Sequence, residues 1–124
     1  MPIRFAIDHQ RRFVRASAED NVTLDDIETF LDAVVVADAL PYRKLFDGRT
    51  AFGKYTNDDL MRLAARMSAY SALERRGAAA IVPSPDYFEL AARFVNLAKD
   101  DRPVRVFLDV AEAERWLEAQ PEIL

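Results

Sequence analysis

Gly48 and Gly53-Lys54 stand at the G-x-x-x-x-G-K spacing of a phosphate-binding loop, inside the stretch LFDGRTAFGKYTNDDL at residues 45–60. In such a loop backbone amides cradle phosphates, the lysine reaches the outer ones, and the next Ser or Thr hydroxyl holds magnesium. Tyr55 occupies that hydroxyl position, and Thr56 comes one residue late, where it reads as the cap of a following helix. Asp58 and Asp59 then supply the negative charge that a helix N-terminus attracts, so a free phosphate would meet repulsion there. Residues 104–109 are a degenerate match to a Walker B strand. Nucleotide hydrolysis is not expected from this pattern.

Asp47 follows a short expected strand at residues 44–46, and ligands of open α/β sheets gather beyond the carboxyl ends of strands. A receiver-domain phosphoacceptor would sit similarly. Receivers, however, place a helix directly after strand one and a lysine after strand five, whereas this chain opens with a hairpin pattern and ends its last strand at Asp109. Asp47-Gly48 therefore reads first as a turn with a backbone-bonding aspartate. Asp47, Arg49, Phe52, Lys54, Tyr55 and Thr56 together make this loop the expected contact for a ligand or a partner, with aromatic surface beside charge.

The remaining chemistry is sparse. His9 is the only histidine and has no second ligand or base near it in sequence, and cysteine is absent, so neither a metal set nor a thiol nucleophile is expected. The acidic pairs Asp25-Asp26, Asp58-Asp59 and Asp100-Asp101 are accounted for by helix dipoles and solvation, and Trp116 at helical spacing reads as core. No catalytic residue and no cofactor is assigned, and the chain is not read as an enzyme.

A length of 124 residues with 51% hydrophobic residues fits one domain, residues 1–124, around one continuous core. No apolar run is long enough to span a bilayer, and the N-terminus begins a strand-like alternation rather than a signal peptide, so a cytoplasmic protein is expected. A net charge of -4 argues against nucleic acid as the main partner, which would need a basic face. Arg11, Arg12 and Arg15 form the densest basic cluster and read as a solvated edge strand, one that could also support a homodimer.

Ile3, Phe5 and Ile7 alternate with polar or small residues, and a second extended run at residues 12–16 completes a hairpin. Thr23 then caps a helix with Leu24, Ile27, Leu31 and Val34 inward, ending before Pro41. Thr56 caps a second, with Leu60, Leu63, Met67 and Tyr70 inward and Gly77 as its stop. Residues 78–82 are a continuous apolar run, as in a central strand covered on both faces. Ser84-Pro85-Asp86 opens a third helix with Tyr87, Leu90, Ala91, Phe94, Val95 and Ala98 inward. After Asp100-Asp101-Arg102-Pro103, residues 104–108 form the last strand. Asp109 and Glu112 have capping-box spacing, opening a helix that sets Val110, Ala113, Trp116 and Leu117 against the sheet. The order is β-β-α-β-α-β-α-β-α, which predicts an α/β fold with a mixed five-stranded sheet and four helices.

This order, with the segments NVTLDDIETFLDAV, PYRKLFDGRT, AAAIVPSPDYFELAARFVNLA and VRVFLDVAEAERWLEA, resembles the SpoIIAA-like family. These small bacterial STAS-like proteins are related in fold to anti-sigma-factor antagonists and to CRAL-TRIO lipid-binding domains. The resemblance covers nearly the whole chain, and its recurring features carry no assigned chemistry. STAS antagonists are switched by phosphorylation of a serine at a D-S-x-G-L helix entry. The matching segment here is Thr56-Asn57-Asp58-Asp59-Leu60, which has neither the Asp-Ser pair nor the glycine, and Thr56 is its one candidate phosphorylation site. The resemblance implies a non-catalytic regulatory or protein-interaction module. Its CRAL-TRIO side implies an alternative, a small carrier or sensor of an apolar or amphipathic ligand, with Phe30, Met67, Phe88 and Phe94 able to line a cavity or to fill it. A third alternative is an enzyme acting on a phosphate ester at Lys54.

Overall fold

The computed structural model describes residues 2–97 and 102–123. The chain runs β1 (Ile3–Asp8), β2 (Phe13–Asn21), α1 (Leu24–Val36), β3 (Arg43–Phe52), α2 (Asn57–Ser71) and β4 (Ala79–Pro83). A 3-10 turn at Pro85–Tyr87 leads into α3 (Phe88–Leu97), followed by β5 (Val104–Val106) and α4 (Val110–Glu118). The expected order and the mixed five-stranded α/β sheet are both present. β1 and β2 are antiparallel; every later pairing is parallel.

The strands lie across the sheet in sequence order, so each crossover steps in the same direction. Right-handed crossovers then set α1, α2 and α3 on one face. The other face is left to α4, whose Ala113 and Leu117 bury Leu45, Ala80 and Val82. A second cluster, with Ile3, Val14, Ala16, Phe30 and Val34, fills the space under α1. Because the strand order never reverses, the sheet has no switch-point crevice of the kind that holds ligands in doubly wound folds.

Local signals explain the helix starts. The Thr23 hydroxyl accepts from the Asp26 N–H at 3.1 Å while the Asp26 carboxylate accepts from the Thr23 N–H at 2.9 Å. Thr56 and Asp59 repeat this reciprocal cap, with both bonds at 3.0 Å. Each pair satisfies two amides that a helix N-terminus otherwise leaves open.

Several boundaries depart from expectation. β2 extends to Asn21 and β3 to Phe52, because the two stay paired from Phe13 with Arg43 to Asn21 with Phe52. β2 is therefore an interior strand and β1 the edge, which corrects the edge-strand reading of Arg11, Arg12 and Arg15. Arg12 donates to the Ile123 carbonyl at 2.7 Å and lies over the Tyr42 ring, while Arg15 pairs with Glu114 at 2.8 Å. Ser84 makes no cap bond through its side chain; a 3-10 turn intervenes before α3. β5 stops at Val106, and Asp109 caps α4 alone by accepting from Ala111 N–H at 3.4 Å, without Glu112. α2 ends at Ser71, well before Gly77, whose role is different: an added Cβ there would collide with the Tyr42 carbonyl and stand 2.5 Å from that of Pro41. The readings at Ala98, Asp100 and Asp101 lie outside the described residues. Among the described residues no helix is long and apolar enough to cross a membrane.

Candidate functional site

The loop singled out by the sequence is largely strand. Asp47, Gly48, Arg49 and Phe52 all belong to β3, and Gly48 pairs with Pro83 of β4, so the segment cannot wrap a phosphate. β3 carries one extra residue here: Ser17 pairs with Asp47, but Glu19 pairs with Thr50. Such a bulge reverses the facing parity of the strand beyond it. Gly48 and Ala51, three apart, consequently border the same space.

Gly53 has a packing role. A Cβ on it would stand 2.5 Å from both the Tyr55 hydroxyl and the Val22 carbonyl, which are themselves hydrogen-bonded at 2.6 Å. Tyr55 thus pins the short loop before α2 to the junction between β2 and α1. Burial first, then the facing Tyr87 and Asp26, push its phenol above the ordinary tyrosine value. Thr56 is committed to capping α2, and Lys54 is exposed.

Asp47 and Arg49 lie on the α4 face. Their side chains meet in two hydrogen bonds of 3.0 Å, and the Arg49 N–H also donates to the carboxylate at 3.2 Å. Burial raises the Asp47 carboxyl, but these bonds and the charges of Arg49 and Arg15 outweigh it and hold the group below its ordinary value. This is a surface ion pair, and neither residue lines the cleft described below. Of the six expected contact residues, only Phe52 and Tyr55 reach the main concavity.

That concavity is a cleft of about 440 Å³ between the sheet and the layer formed by α1, α2 and α3. Its floor mixes small residues, Ala18 from β2, Gly48 and Ala51 from β3, Ala79 and Pro83 from β4, with the larger Phe46 and Ile81. Its roof is apolar, with Ile27 and Leu31 from α1, Leu63 and Met67 from α2, and Leu90 and Phe94 from α3. Helices pack on sheets at a spacing set by their larger side chains, so the alanines and the glycine of the floor leave volume unfilled beside them. The effect is plainest on α3. Leu90, Ala91, Phe94 and Val95 form one apolar face, yet no α3 residue with a described side chain is buried. Phe30, Met67 and Phe94 line the cleft as expected, whereas Phe88 does not.

The mouth lies toward the carboxyl ends of β3 and β4, where Phe52, Tyr55, Asp59, Ser84 and Tyr87 gather. β3 has lost its β4 partner beyond Gly48, which opens this end. On the solvent side of the roof Glu28 of α1 accepts from Arg62 at 2.9 Å and from Arg66 at 3.0 Å, and Arg66 also reaches Asp32 and the Tyr70 hydroxyl. Charge pairs thus tie α1 to α2 above the cleft.

Sequence reasoning missed the floor. The signal was present in Ala18, Ala51 and Ala79, small residues within strands where a filled core would place larger ones. Elsewhere, His9 Nδ1 is 2.7 Å from the Tyr42 hydroxyl, and no group of three His, Cys, Asp or Glu among the described residues could hold a metal ion. No protein-family model and no curated protein matches this chain.

Proposed function

We propose that this chain is a small carrier or sensor that holds an apolar or amphipathic ligand between its sheet and its α1–α2–α3 layer. The observation that carries the proposal is the apolar face of α3, which lines a cleft of about 440 Å³ instead of being buried. Apolar surface left in water costs about 25 cal/mol per Å², so a ligand that covers Leu90, Phe94 and Met67 is favoured by their burial. The volume falls in the usual range for small-molecule sites. The fold relation of the SpoIIAA-like family, which the sequence resembles, to CRAL-TRIO lipid-binding domains supports the same reading. The work is binding rather than catalysis, with the cytoplasm as the proposed setting.

The test is direct. Delipidated protein titrated with a neutral naphthylamine dye should give saturable fluorescence enhancement, and native mass spectrometry of freshly purified protein should show a co-purifying mass. A flat titration together with a bare protein mass would overturn the proposal.

One observation favours a second reading, a regulatory module recognised by a partner protein. Phe52 is 51% exposed on the rim, next to the exposed Lys54. The two readings are compatible, because a partner that reads the rim would sense what fills the cleft. A pull-down comparing the wild type with a Phe52→Ala, Lys54→Ala double variant tests it; identical partner sets would exclude this rim as the contact.

A further inference from the structure

We infer that the ligand carries a head group without negative charge that donates hydrogen bonds, a hydroxyl or an ammonium on a long apolar chain, seated at Asp59, Ser84 and Tyr87. The inference rests on the ligand-binding reading above and adds the ligand's orientation and class.

The two ends of the cleft differ. At the amino-terminal end of β3 and β4 stand Lys44 and Arg102. Lys44 Nζ donates to the carbonyls of Leu40 and Tyr42, both at 2.6 Å, and Arg102 donates to the Gly77 carbonyl at 3.1 Å. Both cations are engaged in holding the chain segments that enter β3 and β4, and an anionic head there would have to draw them away.

The mouth is rich in acceptors. Asp59 lines it, and of its carboxylate oxygens Oδ2 accepts from the Thr56 N–H while Oδ1 has no hydrogen-bond partner among the described residues. Ser84 and Tyr87 also line it, and their hydroxyls have no hydrogen-bond partner among the described residues. The Tyr55 hydroxyl is spent on Val22. A carboxylate or phosphate head would meet the like charge of Asp59 in partly dry surroundings, whereas a hydroxyl or ammonium would satisfy it. The shape adds a length. From Ala79 to Ser84 the β4 floor runs roughly 17 Å at the rise of an extended strand, which suits a long single chain better than a compact ring.

The experiment uses displacement of the bound naphthylamine dye from the whole chain at neutral pH by hexadecanol, hexadecylamine and hexadecanoate. Hexadecanol and hexadecylamine should displace the dye at concentrations about tenfold or more below hexadecanoate. The alcohol is also less soluble in water, so the ratio is compared with Asp59→Asn, which keeps an acceptor for the Thr56 N–H and removes the charge. In that variant the handicap of hexadecanoate should shrink to within about threefold. Tyr87→Phe should weaken hexadecanol by about threefold or more relative to the dye, and circular dichroism spectra that match the wild type guard against a folding defect in either variant. Dye binding with hexadecanoate as strong a competitor as hexadecanol, or with a ratio unmoved by Asp59→Asn, overturns the head-group assignment and leaves the cleft reading standing. Failure of the dye to bind overturns both.

Discussion

Glu28 of α1 and Arg66 of α2 are joined at 3.0 Å on the solvent side of the cleft, with Glu28 only 7% exposed beneath the guanidinium groups of Arg66 and Arg62. The pair ties α1 to α2 across the roof. Its carboxylate is the hub, since both arginines meet on it.

Glu28→Gln keeps the shape and removes the charge, so both bonds lose their ionic assistance. Stability in urea should fall by about 1–2 kcal/mol, and the loss should shrink in high salt, where the exposed arginines are screened. A change within error would show that the clasp is incidental to folding.

Ala91 of α3 faces the cleft with room before it. Ala91→Phe should fill part of the volume, lowering dye affinity by about tenfold while leaving stability unchanged or raised, because added apolar surface enters empty space rather than a packed core. A large loss of stability would mean that the space closes in solution.

Gly53 and Tyr55 form a coupled pair. Gly53→Ala should destabilise by about 1–3 kcal/mol through its clash with the Tyr55 hydroxyl and the Val22 carbonyl. Tyr55→Phe should cost about 1 kcal/mol by itself, and the double variant should cost less than the sum because one of the clashing atoms is gone. Strict additivity in denaturant titrations would refute the steric account.

Thr56→Ala removes the acceptor for the Asp59 N–H and one half of the reciprocal cap. The expected cost is about 1 kcal/mol, with a similar cost at Thr23, read from thermal unfolding. If Thr56→Ser, which keeps the acceptor, proves as harmful as Thr56→Ala, the capping role is wrong.

Asp47 has a folded-state pKa below its ordinary value, so its contribution to stability is fully present above that ordinary value and is lost as pH falls through the lowered one. Arg49→Ala removes the largest of the lowering influences and leaves burial, which raises. The carboxyl carbon of Asp47 should then titrate at higher pH by NMR, and the share of acid destabilisation that Asp47 contributes should shrink, because its folded-state pKa moves back toward the unfolded value. An unmoved titration would assign the shift to the residue 49 N–H and Arg15 instead.

The helix caps were legible because they are local. Thr23 with Asp26 and Thr56 with Asp59 need only a spacing of three residues and a backbone that turns, and both are written in the chain. The element order was legible for a related reason, since apolar periodicity and breaking residues act within a few turns. Asp47-Gly48 was misread on the same local logic: an aspartate before a glycine favours a turn. In the fold, pairing with Ser17 on one side and with Val82 and Pro83 on the other keeps the segment extended.

The sequence by itself determined the caps, the α/β alternation and the failure of the Gly48 to Lys54 segment as a nucleotide site, because each depends on residues adjacent in the chain. Tertiary structure alone decided that β3 runs to Phe52, that Asp47 and Arg49 face away from the cleft, and that the cleft exists. Strand pairing joins residues some thirty positions apart, as Asn21 and Phe52 show. The volume between two layers is a difference among side chains contributed by β2, β3, β4 and three helices. No single window of sequence contains that difference; it arises only when alanines and glycines from separate strands come to lie beneath the same helices.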